Sequence, residues 1–244
     1  MTHGTPDWGG SAPKSTTYKL DDHAELAARL GSIVTYDRRG EVLWIQDFTE
    51  GGAPFQVAGF GIGGDGYLSC GGALSGGLCL CLQTDVLAGD YERVYQHSYY
   101  QVEGGIGQEI WFTVEANLRD VKLRVIMYTG ARSYDYQAKY NRVTGEVSVY
   151  DDTGAWVVIG TPGVLDTLYA SYHPFKMVFN TLTHRYVRVL LVDKAYPVSG
   201  VSCFEAAVVS NKTMVSMVYV TAEAAGGCAI NLDNWIMTQN EPVT

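Results

Sequence analysis

The side chains that could do chemistry in this chain are carboxylates, histidines and tyrosines on predicted strands. Glycoside hydrolysis needs two acids about 5 to 9 Å apart across the scissile bond. Glu109 and Glu115 bracket one predicted strand, but six residues of strand would separate them by about 20 Å. The histidines His97, His173 and His184 lie beside tyrosines or at hairpins, and no serine or cysteine stands in an elbow motif that would complete a triad. We therefore predict that the protein is not an enzyme.

Acidic residues could instead hold a metal ion, because calcium prefers carboxylate and carbonyl oxygens. Asp151, Asp152 and Asp233 are the candidate ligands. The sequence has no dense acidic loop, so we predict no cofactor and keep calcium as an alternative. A second motif, GxGxxG at residues 59–64, needs a following helix to bind a pyrophosphate. No helix is predicted there, and we interpret the motif as a strand connection.

Tyrosine clusters give the stronger argument for binding. Aromatic rings stack on the apolar faces of sugars and also anchor protein interfaces. We predict that a glycan-binding or interface surface carries six tyrosines, which are Tyr95, Tyr99, Tyr100, Tyr134, Tyr136 and Tyr140. The alternative is that half of the tyrosines fill the core and reach solvent with their hydroxyl groups at the sheet edges.

Composition excludes several classes of partner. The net charge is -9, the pI is about 4.9, and no cluster of lysine and arginine appears, so we predict no nucleic-acid partner. No run approaches the roughly 18 apolar residues that span a bilayer, and the N-terminus lacks the regions of a signal peptide, so we expect a soluble protein without a membrane partner. Five cysteines without a CxxC pair predict reduced, small core residues.

The elements that position these side chains are mainly strands. Residues 1–31 are predicted to form an extended arm followed by a short helix at Leu20–Leu30, which Gly31 ends. Residues 32–244 are predicted to form a β-sandwich domain, with 32–47 as its leading hairpin. From Tyr91 onward, short alternating segments recur at about ten-residue spacing, which is typical of a sandwich or barrel. Met214–Thr221 is predicted to pair with the final strand.

Two segments resemble known families. The run HPFKMVFNTLTHRYVRVLLVDKAYPVSG at 173–200, followed by INLDNWIMTQ at 230–239, resembles concanavalin A-like or laminin G-like jelly rolls, and the likeness covers about residues 42–240. It implies an all-β fold with two antiparallel sheets. Glucanases of that superfamily carry Glu-x-Asp-x-x-Glu, which this chain lacks. Residues 26–48 resemble an N-terminal segment of phage and virus structural proteins that bear such sandwiches.

These likenesses and the arm lead to the main functional hypothesis. We expect a non-enzymatic structural protein of a virus particle, a capsid decoration or cement protein on the virion surface that forms a homo-oligomer. The arm would attach it to the major capsid protein or to neighbouring copies by burying five apolar residues, which are Trp8, Tyr18, Leu20, Leu26 and Leu30. The alternative is an extracellular carbohydrate-binding module or lectin-like adhesion protein, with tyrosines lining a groove.

Overall fold

The computed structural model describes residues 39–48, 55–60, 65–69, 73–74, 78–84, 90–98, 103–168, 171–198, 200–223 and 227–243. The predicted arm and short helix at 1–31, with all five arm residues, lie outside this part of the chain. So does the first strand of the predicted hairpin. The described residues belong to one unit, Arg39–Thr244. Their regular elements are all strands, and no helix that could cross a membrane occurs among them.

The part of the chain that the structure describes contains sixteen strands. In most of them apolar and β-branched residues alternate with polar ones over short segments bounded by turns. They are β1 (Glu41–Gln46), β2 (Gln56–Phe60), β3 (Asp65–Ser69), β4 (Cys79–Gln83), β5 (Tyr91–Ser98), β6 (Gly105–Phe112), β7 (Leu118–Tyr128), β8 (Arg132–Asn141), β9 (Glu146–Tyr150), β10 (Trp156–Gly160), β11 (His173–Asn180), β12 (Arg185–Leu191), β13 (Lys194–Pro197), β14 (Phe204–Ala207), β15 (Thr213–Ala222) and β16 (Ala229–Gln239).

The strands make two antiparallel sheets of eight strands each. Sheet I has the order β13-β12-β11-β6-β16-β4-β3, and β1 also pairs with β16. Sheet II has the order β10-β9-β8-β7-β15-β5-β2, and β14 also pairs with β8. The predicted all-β, two-sheet antiparallel sandwich is confirmed.

The predicted pairing of Met214–Thr221 with the final strand is wrong. That segment lies in β15, which pairs with β5 and β7 at the centre of sheet II. The final strand β16 lies in sheet I, between β6 on one side and β4 and β1 on the other. Both strands are buried along nearly their whole length. In β15 the almost continuous apolar run therefore carries no alternation that would identify a partner.

The core fills the space between the sheets. Its largest fully buried apolar side chains include Phe112, Tyr136, Tyr140, Phe175 and Trp235. The four described cysteines are buried, as predicted, and carry free thiols; they are Cys79, Cys81, Cys203 and Cys228. Burial raises the pKa of the Cys203 thiol to about 12 and that of Cys228 to about 11, so these two thiols are poor nucleophiles.

Candidate functional site

The outer face of sheet II carries a concentration of aromatic and basic side chains. On β15, Val218 and Val220 belong to the core, whereas Val215, Met217 and Tyr219 form a separate hydrophobic cluster with residues of β5 and β7. Successive side chains of a strand point to opposite faces, so this second cluster lies on the side of the sheet away from the core. We call this surface the aromatic-basic face and define it by Tyr91, Arg93, Tyr95, Lys122, Arg124, Lys139, Trp156, Met217 and Tyr219.

Tyr219 lies at the centre of the aromatic-basic face. Its phenol oxygen accepts hydrogen bonds from Nη1 of Arg93 at 3.2 Å and from Nη1 of Arg124 at 3.1 Å. The hydroxyl group donates to Sδ of Met217 at 3.3 Å. The Nζ atom of Lys122 lies 4.2 Å from the ring centroid, a distance typical of a cation–π contact. Three cationic side chains from two strands are therefore held around one buried phenol ring.

A two-pronged ion pair fixes the second arginine. Nε and Nη2 of Arg124 donate to Oδ1 and Oδ2 of Asp135 at 3.0 and 2.7 Å, and Nε2 of Gln137 donates to Oδ2 at 2.9 Å. Burial acts to lower the pKa of Arg124, but the hydrogen bonds and charge of Asp135 outweigh it and raise that pKa above its ordinary value. Since β7 and β8 are adjacent strands, this pair preorganises the middle of the face.

Three cations share one row across the strands. Arg93 on β5 lies opposite Tyr219, Tyr219 lies opposite Lys122 on β7, and Lys122 lies opposite Lys139 on β8. Burial, and to a smaller extent the like charge of Arg124, lowers the pKa of Lys122 to about 8. Burial also lowers the pKa of Lys139. The row therefore holds positive charge in a partly desolvated setting.

Aromatic rings flank both ends of this row. At the β5 end, the ring centroids of Tyr91 and Tyr219 lie 5.6 Å apart. On the same strand, the Tyr95 hydroxyl group donates a hydrogen bond to the side-chain oxygen of Gln56. At the other end, Nζ of Lys139 lies 4.1 Å from the ring centroid of Trp156 on β10. Such rings offer flat apolar surfaces beside groups that form hydrogen bonds.

The structure divides the predicted tyrosine surface. Tyr95 belongs to the aromatic-basic face, and Tyr134 is half-buried and stacks on His184 with ring centroids 3.6 Å apart. Tyr136 and Tyr140 are fully buried in the core, so their placement on a binding surface is wrong. Both tyrosines, like Ala138, occupy the alternate positions of β8 that face the core, whereas Asp135 occupies a position that faces outward. Tyr99 and Tyr100 lie outside the described residues.

The predicted calcium ligands lie apart. Asp151 and Asp152 belong to the β9–β10 turn, where Oδ1 of Asp151 accepts hydrogen bonds from both the backbone and the hydroxyl group of Thr153. Backbone donation from Ala155 is the main cause that lowers the pKa of Asp151. Asp233 is buried on β16 in sheet I and accepts from the amides of Leu74 and Asn234. Within the described ranges, no group of three His, Cys, Asp or Glu residues could hold a metal ion.

Sheet I contains a buried charged cluster that the sequence analysis did not predict. Lys176 is fully buried, and its Nζ atom lies 2.7 Å from Oε1 of Glu241 and 3.8 Å from Oε2 of Glu109. Nη2 of Arg188 donates to Oε2 of Glu241 at 2.5 Å, and its Nη1 donates to the Pro242 carbonyl at 2.7 Å. The cluster attaches the C-terminal segment to the sheet. Its one sequence signal is a lysine within the apolar run of β11.

The aromatic-basic face was also missed, apart from its tyrosines. The signal was present in β5 and β7, where charged residues alternate with apolar ones, as Arg93 does with Val94 and Lys122 with Leu123. Because β15 lies between these strands in space but far from them in sequence, no local pattern indicated that the side chains meet at Tyr219.

Comparison with known proteins places this geometry in a fold class. No protein-family model and no curated protein matches the chain. Among solved structures, Cellulose induced protein, Cip1, is similar with a TM-score of 0.53 and 11% identity over 80% of this chain and 96% of that one. A carbohydrate esterase of the Shiga toxin-encoding bacteriophage phi24B has a TM-score of 0.51 and 13% identity over 83% and 100% of the two chains. The fold is thus a jelly-roll β-sandwich.

A third solved structure supports the same class. It is a Bacillus subtilis protein of unknown function with a galectin-like fold, which has a TM-score of 0.51 and 9% identity over 83% of this chain and 97% of that one. At these identities the likeness concerns the fold, and any function must be argued from the site.

Proposed function

We propose that this chain is a carbohydrate-binding module of the lectin-like jelly-roll class, and that its glycan site is the aromatic-basic face. The observation that carries the proposal is the Tyr219 network, which holds both Arg93 and Arg124 and leaves the Arg93 guanidinium 5.5 Å from the centroid of the Tyr95 ring. The phage carbohydrate esterase with the same fold supports the class of ligand.

The chemistry of the face suits a sugar. Pyranose rings have an apolar face that packs on aromatic rings, and hydroxyl groups that need hydrogen-bond partners. The face provides rings at both ends of the row and donors between them. Since Arg93 and Arg124 are already held by the Tyr219 phenol, little side-chain entropy is lost when a ligand binds.

We include in this proposal that the module binds glycans without cleaving them. Asp135 is the carboxylate in the middle of the face, and both of its oxygens accept hydrogen bonds from Arg124 or Gln137. Because both carboxylate oxygens are already engaged as hydrogen-bond acceptors, the group is poorly placed to donate or abstract a proton.

A binding screen with matched variants tests the proposal. The purified protein is applied to an array of plant, bacterial and animal glycans, and the glycans that bind are measured again with Tyr91→Ala/Tyr95→Ala. The control is Tyr67→Ala, which removes an exposed tyrosine from β3 of sheet I. We expect binding to fall at least tenfold in the double variant and to persist in the control. No binding to any glycan, or equal binding by all three proteins, would overturn the proposal.

A role in a virus particle is the second candidate. It is supported by the likeness of residues 26–48 to segments of virus structural proteins and by a phage protein among the structures of similar fold. A capsid decoration protein could also bind glycans, so the two roles are compatible. A quantitative mass-spectrometric inventory of purified particles tests it. High copy number beside a major capsid protein is expected, and absence from the particles would contradict it.

A further inference from the structure

The charges of the aromatic-basic face indicate which glycans fit it. We infer that the face binds an acidic polysaccharide, with carboxylate or sulfate groups placed along the cross-strand row of Arg93, Lys122 and Lys139. This inference rests on the proposed function and adds the class of glycan to it.

Among the described residues, the cations of this row form no ion pairs. Within the described part of the chain, Arg93, Lys122 and Lys139 have no acidic partner within ion-pair distance. The carboxylates that act on the two lysines are engaged elsewhere. Asp135 pairs with Arg124, Asp120 lies 3.5 Å from Arg119, and Glu146 accepts a hydrogen bond from the Thr144 hydroxyl group. The chain has 26 acidic and 17 basic residues, so acidic partners are not scarce in the sequence.

Two of these cations are also partly desolvated. Lys122 is half-buried, and it contacts the ring of Tyr219 rather than a carboxylate. The Nε atom of Arg93 is buried and makes no hydrogen bond, while one of its Nη atoms donates to Tyr219. A cation that is partly removed from water without an ion-pair partner costs folding free energy. A bound anion would offset that cost, which favours an acidic ligand over a neutral one.

The row is long enough for several sugar units. Neighbouring strands lie about 4.8 Å apart, so the three spacings from β5 to β8 span roughly 14 Å. That distance accommodates an oligosaccharide laid across the strands rather than a single small ion. The rings of Tyr91 and Trp156 at the two ends of the row supply stacking surfaces for its sugars. Cations and rings together therefore fit an acidic sugar chain.

The charged surroundings of Lys122 make binding depend on pH. Asp120 and Arg124 lie on its own strand, Lys139 faces it from β8, Tyr219 from β15, and Asp135 acts from β8. With a pKa of about 8, Lys122 loses its charge at mildly alkaline pH. Affinity for an acidic glycan should therefore fall between pH 7 and pH 9, whereas affinity for a neutral glycan should not.

Matched pairs of ligands test the inference. The affinities of polygalacturonate, alginate, hyaluronate and dextran sulfate are compared with those of their carboxyl-reduced or unsulfated counterparts by isothermal titration. Lys122→Met and Lys139→Met are measured beside Lys194→Met, which removes an exposed cation from β13 of sheet I. We expect at least one acidic member to bind about tenfold more tightly than its counterpart. Each variant of the row should lose most of that difference, and Lys194→Met should keep it.

The outcomes separate the two proposals. Equal affinity for the acidic and neutral members of every pair, or binding to neutral glycans alone, overturns the inference and leaves the proposed function standing. No binding to any glycan overturns both. The inference is also overturned if an oligonucleotide binds with the same affinity as the acidic glycans and shows the same dependence on Lys122. The row would then bind polyanions without selectivity for sugars. A preference for carboxylate appears as a difference in affinity between a carboxylated glycan and its carboxyl-reduced counterpart. A preference for sulfate appears as a difference between dextran sulfate and unsulfated dextran.

Discussion

Replacing Glu241 by glutamine should strongly destabilise the sandwich. The change keeps the side-chain volume and removes the negative charge that Lys176 and Arg188 share at 2.7 and 2.5 Å. It also weakens the acceptor for the Thr238 hydroxyl group, which donates at 2.6 Å. Lys176 and Glu241 are both almost entirely buried, so water cannot replace the lost charge.

The magnitude follows from this geometry. Breaking a buried ion pair by removing one partner costs about 3 to 5 kcal/mol, because a charge is left buried without compensation. Glu109 lies 3.8 Å from Lys176 and compensates part of that loss, so we expect about 3 to 4 kcal/mol for Glu241→Gln. For a domain of this size, that corresponds to a fall in Tm of roughly 6 to 16 °C.

Urea unfolding, monitored by tryptophan fluorescence and circular dichroism, measures the effect. The control is Glu205→Gln, which breaks an exposed ion pair with Arg132 and should cost at most about 1 kcal/mol. Adding Lys176→Met to Glu241→Gln should recover part of the stability, since it removes the buried charge. A Glu241→Gln protein within 1 kcal/mol of the unmodified chain would refute the reasoning.

Three further predictions concern single positions. Lys122→Met should raise the free energy of unfolding at pH 7 by on the order of 1 kcal/mol. Because the pKa of Lys122 in the folded protein, about 8, lies below the ordinary 10.5, this gain should vanish as the pH rises from 8 towards 10.5. A gain in the free energy of unfolding that does not depend on pH would contradict this origin. Gly105→Ala would bring a Cβ atom into a steric clash with the Glu241 carbonyl oxygen, so it should lower the free energy of unfolding by about 1 to 3 kcal/mol. It should also speed hydrogen exchange of the Glu241 amide, and an unchanged exchange rate would argue against the clash. Tyr219→Phe removes the acceptor shared by two arginines and should cost about 1 to 2 kcal/mol in thermal unfolding, whereas a neutral effect would mean that the network contributes little.

The sequence predicted the strands of the sandwich better than the faces of those strands. In β8, alternation indicated a strand, yet Tyr136 and Tyr140 were assigned to a surface. The inward-facing positions of β8 could have been predicted from the sequence. Asp135 and Lys139 occupy one set of alternate positions, and Ala138 shares the other set with the two tyrosines. The apolar alanine marks the inward set, and the charged residues mark the outer one.

The candidate site could not be predicted in the same way, because it depends on long-range pairing. Arg93 and Lys122 come together only because β15 inserts between β5 and β7 and places Tyr219 between them. Glu241 likewise reaches Lys176 from a segment more than 60 residues later in the chain. Strand order of this kind follows from the packing of the whole sandwich, not from the periodicity of any one strand.

Backbone chemical-shift mapping tests the central claim, that glycans bind to the outer face of sheet II, most directly. Amide resonances of isotope-labelled protein are followed while an acidic oligosaccharide, chosen from the pairs above, is added. The account predicts shifts concentrated in β5, β7, β8 and β15 and centred on Tyr219 and Lys122. Shifts concentrated in sheet I, with sheet II unchanged, would contradict it.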